Sequence, residues 1–325
     1  MKKVSIIIPC YNAIDFIETC LNSLENQTSQ DFEVIIIDDA SVDKSYEKLL
    51  EMKEKINFQL KIIKNEKNLG AGETRNRGIS EAKGEYIMFL DCDDYIEKHT
   101  IEHIIEKIKK YNLDCLLFDY YIVKNQMKIK YKTVKATDYG LINKRTALIH
   151  STGSTWCKVY KKNIVIENKI KFLDIKRNED MPFNKLAISF CEKIYYLNEA
   201  LYYYVQNESS LMHNDDLKNK ENAIKAFEYV NEVLKGKFDY ELEAIFIKEY
   251  LYSSVFTMIQ KREKNKVIKN HIENCLIKFP TWYRNSEIRK FNLYQRLSLF
   301  FIRKKMIFVL KLLVNIKKSV IKISR

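Results

Sequence analysis

Apolar runs closed by polar residues alternate with helical stripes through the first 120 residues. Val-Ser-Ile-Ile-Ile-Pro at 4–9 predicts a strand that must leave its ladder at the proline. Ile14, Ile17, Leu21 and Leu24 recur at spacings of 3, 4 and 3, which predicts an amphipathic helix over 13–26. Phe32–Asp39 is a second buried strand ending in two carboxylates. A third strand over 58–64, a helix over 72–82, a strand over 86–90, a helix over 100–111 and a strand over 114–118 continue the alternation. This rhythm predicts an α/β fold with a doubly wound, mainly parallel, Rossmann-like sheet.

Beyond about residue 215 the alternation gives way to helical periodicity. Ala226, Tyr229, Val230 and Val233 form one stripe; Ile245, Tyr252, Val255, Phe256 and Ile259 belong to another. Ile302, Met306, Val309, Leu313, Ile316, Val320 and Ile323 step by 4 and 3, the seam of one long heptad helix. The expected division is therefore 1–215, with halves 1–95 and 96–215, and a helical region 216–325.

Composition supports a folded chain, with 46% hydrophobic residues and only 7 Gly and 3 Pro among 325. Seven cysteines form no Cys-x-x-Cys pair, and no secretory pattern opens the sequence, so reduced thiols in a cytoplasmic protein are expected. The net charge of +13 is a property of the tail. Residues 288–325 hold eleven Lys or Arg and no Asp or Glu; subtracting those eleven leaves +2 for the rest. A nucleic-acid partner is not expected from that distribution. Lys304, Lys311, Lys318 and Arg325 recur every seven residues, so a parallel coiled coil would carry like charges on every flank. Lys311 and the 303–305 cluster interrupt any transmembrane span. An interfacial helix on anionic lipid is expected, each basic group contributing about 1 kcal/mol. Packing of this helix on the rest of the chain or on a partner is the alternative, and an oligomer stays open.

The chemistry gathers at strand ends. In open α/β sheets ligands bind beyond the carboxyl ends of the strands, where Tyr11, Asp39 and Asp91–Asp94 all fall. Carboxylates there suit Mg²⁺ or Mn²⁺, which bind through one or two of them plus substrate phosphates. Capping of the following helix is the other reading of the same acids. The loop 68–78 contains Gly70-Ala71-Gly72 without dinucleotide-fingerprint spacing, and its Arg75 or Arg77 can meet a base or phosphate. His99 and His103 stand four apart on a helix but lack a zinc-enzyme sequence order.

Taken together, Ser5–Asn12, Ile37–Asp43, Asn68-Leu69-Gly70 with Arg75–Gly78, and Phe89–Asp94 resemble the signature of glycosyltransferase family 2. The resemblance implies a GT-A fold and inverting transfer from a nucleotide-activated sugar. It implies that Pro9, Tyr11, Asp39, Asn68 and Arg75 line the nucleoside, with Asn12 and Cys92 beside them. Asp91 would lie near the ribose or the metal, and Asp93 would bind Mn²⁺ or Mg²⁺. Trp156-Cys157-Lys158 and Arg177–Phe183 resemble later family segments. They imply Asp180 as general base, with Trp156, Lys158 and Glu179 on the acceptor side. His213 would reach the metal from a closing loop. The resemblance implies a UDP-sugar donor, a hexosyl or N-acetylhexosaminyl group, and a glycan or lipid-linked acceptor in bacterial surface polysaccharide synthesis. A sugar nucleotidylyltransferase would carry a Gly-rich basic loop after the first strand, where Pro9–Asn12 stands instead. A membrane-recruited binding module without catalysis is the non-enzymatic alternative, disfavoured by the intact carboxylates.

Overall fold

The computed structural model describes residues 2–135, 138–175, 177–206 and 217–323, with side chains from 222 to 315 in the last stretch. Two compact units, Met1–Val230 and Asn231–Arg325, make up the chain. The first is an α/β unit in the order β1 (Val4–Cys10), α1 (Ile17–Glu25), β2 (Phe32–Asp38), α2 (Ser45–Lys53), β3 (Gln59–Lys64), α3 (Ala71–Glu81), β4 (Tyr86–Phe89), β5 (Tyr95–Ile96), α4 (Thr100–Tyr111). It continues through β6 (Cys115–Lys124), β7 (Met127–Tyr131), β8 (Gly140–Ile142), α5 (Lys144–His150), β9 (Lys158–Lys161), α6 (Lys162–Glu167), α7 (Asp180–Phe190) and β10 (Ile194–Val205).

The sheet order is β3-β2-β1-β4-β9-β6-β10-β5, with β7 on β6 and β8 on β10. β1 runs parallel to β2 and β4, and β2 to β3, as the alternation predicted. Every residue of β2 is buried, the signature of a strand covered on both faces. On one face Val4, Ile6 and Ile8 pack with Ile17, Leu21 and Leu24 of α1 and Ile101 and Ile104 of α4. On the other, α3 comes so close to β1 that a Cβ on Gly78 would stand 2.3 Å from Ile7 Cγ2. Only glycine permits that approach, and it sets Arg75, one turn earlier, at the sheet edge.

Three expectations need correction. The helix expected from residue 13 begins at Ile17, so Ile14 precedes it and is exposed. The strand expected at 114–118 does not extend the parallel series beside β4: β9 intervenes, antiparallel to both β4 and β6. β9 is four residues long and carries two lysines, which hid it among loop residues. The resulting β6–β10 pair is again parallel.

The second unit is helical, as the periodicity implied. α8 (Leu217–Leu234) enters it, followed by α9 (Asp239–Ile245), a π-helical turn at Phe246–Tyr252, α10 (Ser253–Gln260), α11 (Asn265–Lys278), α12 (Leu293–Arg303) and α13 (Ile307–Ile323). The unbroken heptad helix is the third correction. Lys305 adopts φ 54° and ends α12 in a left-handed cap. The break turns Ile307, Leu310 and Val314 inward, while Met306 of the expected seam is exposed. Side chains of Ile316, Val320 and Ile323 lie outside the described residues.

Candidate active site

Where β1, β2 and β4 end, three loops face one crevice. After β1, Pro9 is half-buried and Tyr11 is exposed. Asn12 takes a left-handed φ of 49°, and its Oδ1 accepts from Val42 N at 2.9 Å, so this residue braces the loop after β2. Asp39 is buried with both oxygens engaged: Oδ1 accepts from Asn65 Nδ2 (2.7 Å) and Leu69 N (2.9 Å), Oδ2 from Gly70 N (2.8 Å). Gly70, at φ 86°, turns its amide toward that carboxylate as α3 begins. Asp39 thus fixes the mouth of the loop, and Asn68 beside it is exposed.

The centre of the crevice is Arg75. Its guanidinium donates to Asp91 Oδ1 (2.8 Å) through Nη2 and to Glu179 Oε1 and Asp180 Oδ1 (both 3.1 Å) through Nη1. The side chain is 6% exposed. Burial would lower the guanidinium pKa, but Asp180, Asp91 and Glu179 outweigh it and raise it. An arginine expected against a nucleoside therefore ties the β4 terminus to the start of α7. Glu179, at the N-cap of α7, makes no side-chain cap, and Asp180 is the acid of its first turn.

Burial, then the Asp180 charge, push Glu179 up to about 7 against the pull of Arg75. Asp180 is also raised by burial, with Arg75 opposing. Its Oδ2 faces the amide and hydroxyl of Thr155 at 3.4 and 3.3 Å, and its side chain is 23% exposed. A part-exposed carboxylate held on one edge and elevated in pKa can accept a proton.

Along the β4 terminus the acids divide their work. Asp93 is partly exposed, and burial, followed by the Asp91 charge, push it up to about 6. Asp94 is buried and caps no helix; it accepts from Tyr202 OH (2.6 Å) and Val205 N (2.8 Å), tying β4 to β10. Tyr202 OH in turn accepts from Asp91 N at 3.1 Å. Cys92 points inward, with its sulfur 3.3 Å from that of Cys10. Among the described residues no group of three His, Cys, Asp or Glu side chains could hold a metal alone. Asp91 and Asp93 are both part-exposed at this terminus, with one Asp91 oxygen on Arg75; one or two carboxylates of this kind can hold a cation together with substrate phosphates. His213 lies outside the described residues.

The expected acceptor residues are differently placed. Lys158 is fully buried, and its ammonium donates to Thr152 O at 3.0 Å and to Ser154 O, holding the 152–154 loop behind Thr155. Trp156 is buried against Tyr202, with ring centroids 4.5 Å apart. Asn65, Thr155 and Tyr202 were missed because each gains meaning only from a distant partner. His99 pairs with Glu102 and His103 with Glu199, on the surface of α4.

A family model described as glycosyl transferase family 2 matches residues 5–168. The poly(ribitol-phosphate) beta-N-acetylglucosaminyltransferase TarS of Staphylococcus aureus is 33% identical over 210 residues, 63% of this chain and 35% of that protein. The glycosyltransferase GlyA of Streptococcus pneumoniae is 28% identical over 221 residues, 64% of this chain and 31% of that one. The chain thus spans about a third of the length of these curated relatives. The structure of S. aureus TarS 1–349 in complex with UDP-GlcNAc superposes with a TM-score of 0.75 at 25% identity, covering 98% of this chain and 92% of that one.

The Asp93 shift has a testable sign. Its folded pKa lies above the ordinary 3.8, so the native state binds more protons in that interval and stability falls as pH rises. Asp93→Asn removes this dependence. In metal-free buffer the melting temperature of Asp93→Asn should gain on the parent as pH rises from about 4 to about 7. A constant difference across that range contradicts the assignment.

Proposed function

The chain belongs to glycosyltransferase family 2, and from that premise we propose that it is an inverting glycosyltransferase with a UDP-sugar donor and a glycan or lipid-linked acceptor. The observation that carries the proposal is the Arg75 bridge, which gathers Asp91 from the donor-side strand and Glu179–Asp180 from the opposite wall into one cluster. The catalytic role is assigned to residues 1–215, and the transferred group to a hexose or N-acetylhexosamine. Synthesis of a bacterial surface polysaccharide is the setting, in line with the relatives' names.

In this mechanism Tyr11, Asp39 and the Asn68 loop receive the nucleoside at the ends of β1 and β2. Asp91 and Asp93 would hold Mn²⁺ or Mg²⁺ against the diphosphate. That cation supplies charge neutralisation for the departing nucleoside diphosphate. Asp180 takes the proton of the acceptor hydroxyl as its oxygen attacks the anomeric carbon from the face opposite the diphosphate. The new glycosidic bond forms as the old bond to phosphate oxygen breaks, which inverts the centre. Arg75 holds one edge of Asp180 and favours its ionised form against the effect of burial; Thr155 holds the other.

In the same proposal residues 288–325 hold the chain at the inner face of the cell membrane. No helix among the described residues is long and apolar enough to cross a membrane. Leu293, Leu297 and Phe300 on α12, spaced by 4 and 3, are exposed, and so are Phe308 and Leu312 on α13. Several cations are instead engaged by neighbouring side chains at the surface: Lys305 by Glu273, Lys311 by Asn265, Arg303 over Tyr283. The exposed apolar side chains, flanked by Arg296 and Lys304, carry this part.

Asp180→Asn should bind UDP as the parent does and lose about 10²- to 10⁴-fold in transfer, followed as UDP release with Mn²⁺ and a panel of UDP-sugars. Full transfer by this variant would rule out its role as base. Replacing Leu297, Phe300, Phe308 and Leu312 with serine should abolish co-sedimentation with phosphatidylglycerol vesicles; undiminished sedimentation refutes the membrane placement.

A further inference from the structure

β6 and β10 run past the crevice, and β7 folds back along the edge of β6. Strand alternation places Tyr120, Ile122, Ile129 and Tyr131 on one face of this extension, together with Tyr202 and Tyr204. Trp156 lies nearly parallel to Tyr204, with centroids 5.6 Å apart, and edge-on to Tyr120 at 4.7 Å. Tyr120 stacks in turn on Tyr131 at 5.7 Å, and Tyr131 is 41% exposed. The row therefore begins beside Thr155, whose amide touches Asp180, and runs outward to the surface.

Most of the charge on these strands lies on the opposite face. Lys128 lies over Tyr203, and Lys130 approaches Asp119 at 3.5 Å. That leaves the Tyr120–Tyr131 face aromatic and apolar beside Thr155, with phenol hydroxyls as its polar groups there and Lys124 at its far end, opposite Met127. The outer face of Tyr131, whose other face stacks on Tyr120, suits the C–H face of a pyranose, with hydroxyls for its edges. One cation at its far end is too little to neutralise a phosphate chain.

We propose that Tyr120, Tyr131 and Tyr204, backed by Trp156, form a platform for an uncharged pyranoside acceptor, and that it leads the acceptor hydroxyl to Asp180. The inference rests on the glycosyl transfer proposed above and adds the acceptor class and its subsite. A polyol-phosphate acceptor is the opposing case.

The test is saturation-transfer NMR on the full chain with UDP and Mn²⁺, using methyl β-D-glucopyranoside and N,N′-diacetylchitobiose as probes and ribitol 5-phosphate as the anionic comparison. The expected result is saturation of pyranose ring protons, about tenfold weaker binding in Tyr131→Ala, and near-parent binding in Tyr131→Phe. UDP affinity, read by calorimetry in the same samples, should not change. Normal UDP binding with no saccharide contact, with contact unchanged in Tyr131→Ala, or with preference for ribitol 5-phosphate overturns the platform and leaves the donor assignment standing. Absence of UDP binding overturns the donor assignment and the platform with it.

Discussion

One buried guanidinium facing three carboxylates constrains the whole α/β unit. Arg75 on α3 meets Asp91 at the end of β4 and Glu179–Asp180 at the start of α7. A charge removed from water is costly unless paired and hydrogen-bonded, so each of these elements must arrive in register for any of the charges to be tolerated. Gly78 admits α3 to the sheet at a depth no other residue allows. Asp39 fixes the loop that opens α3 by gathering the Leu69 and Gly70 amides.

The cluster is unbalanced, and the imbalance matches the proposed chemistry. One cation faces three anions, with Asp93 a further acid beside them. Burial and mutual repulsion hold Glu179 at about 7 and Asp93 at about 6, so protons offset part of the excess near neutrality. A divalent cation arriving with a diphosphate would take over that work on the donor side. Proton uptake by Asp180 would relieve it on the acceptor side.

The legible parts of the sequence were those set by local periodicity. β1, β2 and α4 follow directly from apolar runs and a helical stripe, and the acids at the strand ends fall where the parallel sheet must deliver them. The partners of those acids were not legible. Asp94 is satisfied by Tyr202, 108 residues away. Lys158, expected on the acceptor side, is buried in β9, where its ammonium is an internal clamp. The apparent heptad helix failed because periodicity cannot report one left-handed residue, and Lys305 shifts the buried stripe onto Ile307, Leu310 and Val314.

The measurement that bears most directly on the central role of Arg75 is the pH profile of UDP release in Arg75→Gln, on protein whose cooperative melting shows it folded. Arg75 opposes the rise in the Asp180 pKa, and the base proposed for Asp180 requires its ionised form, so loss of Arg75 should move the acidic limb to higher pH by about 1 to 3 units. An acidic limb that stays where the parent's lies would contradict the account.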